Sequence, residues 1–184
     1  MQQTIHDSAI LNFQMAADLL IALQGRRLVL SGEAASVLHG RPKVLLGEGY
    51  TSLSPRFGIC IPEDARAEYA PASAIEGLEF RNSGLMWMTM EGLVTERGAC
   101  TCYLDAETTF PSPTVADVFL REFTQAGEIR DTGQTEWLLG TDRAVVCRLA
   151  IPEADKEVAH RRVIIHLRQP PARFVIRKLA MTLI

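Results

Sequence analysis

The chain has 184 residues, of which 47% are hydrophobic and 22% charged, with a formal net charge of -3. That composition is ordinary for a globular protein and excludes a collagenous chain, a coiled coil and a disordered tail. No run approaches the ~18 uncharged apolar residues of a membrane span, and the opening MQQTIHDSA lacks the basic and apolar regions of a signal peptide, so the expectation is a cytoplasmic protein with no membrane partner. Four cysteines, Cys60, Cys100, Cys102 and Cys147, form no CxxC pair. They are expected to be reduced core residues, and no metal or cofactor is expected.

In chain order, the first predicted element is a helix from Asp7 or Ser8 to Gln24, on the helical spacing of Ile10, Phe13, Ala17 and Leu20, closed by Gly25. Short β-like runs follow at Arg27 to Leu30, Lys43 to Leu46, Arg56 to Ile61, Leu78 to Arg81, Leu85 to Met90 and Ala99 to Leu104. A second helix is expected where Ser112 and Pro113 precede Val115, Val118, Phe119, Phe123 and Ala126, ending at Gly127. Four more runs, Glu136 to Leu139, Ala144 to Ile151, Arg162 to Arg168 and Arg173 to Leu183, complete the chain. Asn82 to Gly84, Glu96 to Gly98 and Gly140 to Asp142 read as hairpin connections, which makes the sheet mostly antiparallel.

The fold class this predicts is α+β, with two helices packed on a mostly antiparallel sheet in one compact domain, 1-184. Leu45-Leu46-Gly47 recurs as Leu138-Leu139-Gly140, and Ile61-Pro62-Glu63 as Ile151-Pro152-Glu153. Their common order fits a pseudo-twofold duplication of a helix-plus-strands unit, with halves 1-92 and 93-184; chance recurrence of tripeptides is the competing explanation.

Charge is unevenly divided. Residues 156-184 hold seven Lys or Arg against one acid, Glu157, a surplus of six that leaves the rest of the chain at -9. Within HRRVIIHLR, alternation puts Arg162, Ile164, His166 and Arg168 on one strand face. If Pro170 and Pro171 turn a hairpin, Arg168 lies near Arg173, and Arg177 continues the same cluster. Converging guanidiniums suit a carboxylate or phosphate, which they bind through paired hydrogen bonds. Little aromatic interleaving accompanies them, which argues against nucleic acid as a partner.

Leu85 to Met90 is apolar on both faces and reads as a central strand, with Trp87 opposite Met86, Met88 and Met90. The functional expectation is therefore a soluble binding domain for a small anionic or partly apolar ligand, held in a crevice between the halves by Arg162, His166, Arg168, Arg173, Arg177 and Trp87. Two alternatives use the same residues. One is a small-molecule enzyme with His166 as proton donor or base beside an arginine. The other is an assembly subunit whose basic C-terminal hairpin docks on an acidic protein partner or a second copy, as in a homodimer.

Overall fold

The computed structural model describes Gln14 and residues 26-73, 76-140 and 144-184. In chain order these form β1 (Arg27–Val29), α1 (Leu30–Val37), β2 (Val44–Leu46), β3 (Gly49–Ser54), β4 (Phe57–Ile61), β5 (Ala67–Pro71) and β6 (Leu78–Asn82). They continue as β7 (Trp87–Val94), β8 (Cys100–Thr109), β9 (Thr114–Thr124), β10 (Ile129–Leu139), β11 (Val145–Ile151), β12 (Val158–Arg168) and β13 (Arg173–Leu183). No helix among the described residues is long and apolar enough to cross a membrane.

The strands build two antiparallel sheets face to face. One has the order β11-β8-β13-β6-β5-β2, with β1 also paired to β13; the other, six-stranded, has the order β10-β9-β12-β7-β4-β3. Alternation explains the arrangement, because in each strand one set of side chains points into the space between sheets. Met88 and Met90 of β7, Val163, Ile165 and Leu167 of β12, and Leu104 of β8 all meet there in one buried cluster. Phe80 and Phe174, opposite each other in register, stack with ring centres 5.1 Å apart, and Tyr69 extends the stack. Cys102 and Cys147 belong to this interior. Burial pushes the Cys102 thiol up to about 12, which makes it a packing group at neutral pH.

The architecture is thus a β-sandwich, and the α+β expectation is corrected. The expected first helix, apart from Gln14, lies outside the described residues. The expected second helix is strand β9, in which Ala116, Val118, Leu120, Glu122 and Thr124 alternate toward the interior and only Asp117 among the residues between them is also buried. Phe119 and Phe123 are four apart, a spacing that satisfies a helical period and a strand period alike, so their recurrence did not discriminate. Gly127, expected to cap a helix, instead takes φ +84° in the β9-β10 hairpin turn. Helix α1 buries Leu30 and Ala34, packs on β13, and accepts at the Ala34 carbonyl a hydrogen bond from Tyr69 Oη at 2.9 Å.

A second correction concerns the C-terminal strands. β12 and β13 do not pair: β12 lies between β7 and β9 in the six-stranded sheet, while β13 lies in the other. The Gln169 to Ala172 connection crosses between sheets instead of turning a hairpin, since two prolines lack the amides a ladder needs. It runs beside the β6-β7 connection, which also crosses, and the two are pinned by Gln169 N–H to the Met86 carbonyl and Asn82 N–H to the Ala172 carbonyl, each 2.9 Å.

Between residues 1-92 and 93-184, β7 pairs with β12 in one sheet, and β1 and β6 pair with β13 in the other. The second copy's expected helix is a strand, and β4 pairs with β7 whereas β11, which carries the matching Ile-Pro-Glu, does not pair with β13.

Candidate functional site

The outward face of the six-stranded sheet is built from cross-strand rows. One row reads Glu136, Asp117, His166, Thr89, Cys60 and Tyr50 from β10 to β3. The next reads Phe119, Ile164, Glu91, Gly58 and Ser52, and the one beyond it Asp131, Arg121, Arg162 and Leu93. Four of these side chains, Thr89, Glu91, Asp117 and Ile164, are buried although they point away from the core, so flanking groups close over them. Buried polar groups on an outer face need partners, and Thr89, Glu91 and Asp117 have them.

Asp117 is the hub of one end. Its Oδ1 accepts from Gln134 Nε2 at 3.1 Å, its Oδ2 accepts from Arg168 Nε at 2.6 Å, and His166 Nδ1 stands 3.8 Å from the same oxygen. Gln134 reaches it because β10 bulges. Between Thr132 and Thr135 the register shifts, so Gly133, at φ +71°, and Gln134 together oppose Phe119. Such bulges re-aim side chains, and a residue in this left-handed conformation favours glycine. The result is a cavity of about 240 Å³ lined by Asp117, Phe119, Asp131, Gln134, His166 and Arg168. A second cavity, of about 410 Å³, shares Asp117 and Arg168 and adds Val115, Glu136 and Gln169.

Burial lowers the His166 pKa below the ordinary histidine value; Asp117 opposes this, while Arg168 and Arg121 reinforce it. Burial thus favours the neutral form of the ring. Trp87 meets it edge-on with centres 6.1 Å apart.

At the other end, Arg162 donates Nη1 to Glu91 Oε2 at 3.1 Å, and Thr89 Oγ1 donates to Glu91 Oε1 at 2.9 Å. The guanidinium lies 4.1 Å from the centre of the Tyr50 ring and 5.9 Å from that of Phe123. Phe123 in turn stacks on His160 at 4.3 Å. Arg121 stands directly opposite Arg162, and its repulsion is offset by a two-point bond to Asp131, at 2.8 and 2.7 Å.

Of the residues expected from sequence, Trp87, Arg162, His166 and Arg168 share this face along the β7-β12 seam, with Trp87, His166 and Arg168 at one end and Arg162 at the other. Arg173 and Arg177 are elsewhere, on β13 in the other sheet. Arg173 is 2.6 Å from Glu79, a buried carboxylate held below the usual range by hydrogen bonds from Arg173 and Arg81. Arg177 sits at a register shift in β13 and lines a wide cavity beside α1 with Glu76, Glu107 and Lys178. Met88 and Met90 face the core and do not line the site. Sequence reasoning missed Asp117, Gln134, Glu91, Tyr50 and Phe123. Reading 115 to 123 at a period of two would have set Val115, Asp117, Phe119, Arg121 and Phe123 on one face. Among the described residues no group of three or more His, Cys, Asp and Glu is placed to hold a metal ion.

No protein-family model matches the chain. No curated protein matches it in sequence. Among solved structures it is similar to the C-terminal family 22 carbohydrate-binding module of Clostridium thermocellum Xyn10B, at 12% identity over 70% of this chain and 85% of that one, with a TM-score of 0.47. It is also similar to the family 11 carbohydrate-binding module from Clostridium thermocellum in complex with a β-1,3-1,4-mixed-linked tetrasaccharide, at 10% identity over 76% and 94%, TM-score 0.42. A third is the N-terminal CBM22-1-CBM22-2 tandem domain from Paenibacillus barcinonensis Xyn10C, at 8% identity over 76% of this chain and 46% of that one, TM-score 0.49. Likenesses this distant assign neither a ligand nor a site residue to this chain.

Proposed function

We propose that the chain is a binding domain whose outward six-stranded face takes a neutral, hydroxyl-rich ligand of the carbohydrate class, with Trp87, Arg162, His166 and Arg168 among the contacts. The observation that carries this is the carboxylate-rich hub at Asp117. The two cavities around it are lined by three carboxylates, Asp117, Asp131 and Glu136, and by Arg168, while Arg121 binds Asp131. An anion entering there meets more negative than positive charge. A hydroxyl can both donate to the carboxylates and accept from Arg168 or Gln134, and Phe119 and Val115 offer apolar surface to a ring. Three of the arginines that suggested an anion site have a carboxylate already, Glu91 for Arg162, Asp117 for Arg168 and Glu79 for Arg173.

The test is calorimetric titration of the full chain with soluble neutral glycans on one side and inorganic phosphate and citrate on the other. Glycan binding that is lost in Asp117→Ala supports the proposal. Binding of the anions, or of no glycan at all, overturns it.

A further inference from the structure

Resting on that reading of the face, we infer that its ligand is an extended chain running along β12, with a second station where Tyr50, Arg162, Phe123 and His160 stack. Gly58 makes this station possible. Tyr50 lies across it so closely that a Cβ added at Gly58 would stand 2.2 Å from the Tyr50 hydroxyl oxygen. A glycine at this point of β4 lets a tyrosine from the edge strand β3 lie over the sheet and against Arg162, 4.1 Å from the ring centre. The succession of planes then continues through Phe123 to His160. Flat, polarisable groups with one exposed side suit the apolar face of a ring. Glu91 cancels the Arg162 charge, so the station does not select for anions.

The two stations are well separated. Asp117 and Phe123 lie on the same face of β9, and six residues of strand span about 20 Å at ~3.3 Å per residue. Between them lie Phe119, the fully buried Ile164 and Arg121, whose charge is matched by its two-point bond to Asp131, so a neutral chain can cross this floor. A single small ring reaches one station; an oligomer reaches both.

The test uses the full chain and one neutral glycan chemistry in increasing lengths, from disaccharide to hexasaccharide. The inference expects affinity to rise at least tenfold between the shortest and longest members, with that gain lost in Tyr50→Ala and restored in Tyr50→Phe. Short members should bind the wild type and Tyr50→Ala equally. His160→Ala, an exposed change, provides a second variant should Tyr50→Ala unfold, and should remove part of the same gain. Equal affinity at all lengths, or equal weakening of short and long members by Tyr50→Ala, overturns the extended ligand while leaving the binding face intact. Failure of every length to bind overturns both.

Discussion

Tyr50 and Gly58 share one space: no side chain larger than hydrogen fits at position 58 while the tyrosine ring lies over it. The group that would be struck is the tip of an exposed side chain on an edge strand, so the ring can swing outward while the sheet stays in place.

Gly58→Ala should therefore cost no more than about 1 kcal/mol of stability, at the low end for overpacking, yet detach Tyr50 from Arg162. Burial raises the Tyr50 pKa against the opposing effect of Arg162. Once the ring moves into water, its phenol should titrate lower, near the ordinary tyrosine value. Ultraviolet difference titration measures this, and an unchanged phenol pKa in a folded Gly58→Ala protein would refute the account.

Asp117 should be a stability residue as well as a site residue. Its side chain is only 5% exposed, and Asp117→Ala removes the acceptor that Gln134 and Arg168 use. A loss of about 1–3 kcal/mol is expected from denaturant unfolding, less for Asp117→Asn, which keeps one acceptor. The His166 pKa should fall further in either variant, because Asp117 is the one group raising it. A histidine resonance that titrates higher in Asp117→Asn would contradict the assignment.

The strand segments were legible where one face is apolar and the other polar, as in β8, β11 and β12. The sheet each strand enters was not, because a short turn serves a hairpin or a crossing equally well, and only the paired prolines after Arg168 hinted at the latter. β3 escaped notice because Gly49, Thr51, Ser52 and Ser54 are turn-forming residues as readily as strand residues, and Tyr50 was lost with it. Gln134 depends on a bulge that no periodicity announces; Gly133 inside a polar run was its one sequence signal. Asp117 and Glu91 read as ordinary surface acids, since nothing local says that Arg168 and Arg162 will close over them.

The pH dependence of stability follows from the two histidines on the face. Burial lowers both the His166 and His160 pKa values, with Arg162 adding to the effect at His160. A histidine whose pKa is depressed in the folded state contributes stability that is fully present above its unfolded value, near ~6.5, and is lost as pH falls through the folded value. Stability should therefore decline as pH is lowered from about 6.5, and His166→Gln should flatten part of that slope. Urea unfolding at several pH values checks it; a folded-state His166 pKa at or above the ordinary value would defeat the prediction.

Arg168 and Arg173, near neighbours in sequence, should be energetically independent. They occupy different sheets and share no partner: Arg168 is bound to Asp117 and Arg173 to Glu79. Their side chains are 66% and 65% exposed, so screening by solvent limits each ion pair to under about 1 kcal/mol. Glu79 also keeps Arg81 when Arg173 is replaced, and Asp117 keeps Gln134 when Arg168 is replaced. Arg168→Gln and Arg173→Gln should thus each cost little, and the double variant should equal their sum within about 0.3–0.5 kcal/mol. Had the two strands paired with their guanidiniums crowded together, the first replacement would relieve repulsion and the second would not, giving a clear coupling. A double-mutant cycle by chemical denaturation separates the two cases, and a coupling above about 1 kcal/mol would mean that the two arginines share one surface after all.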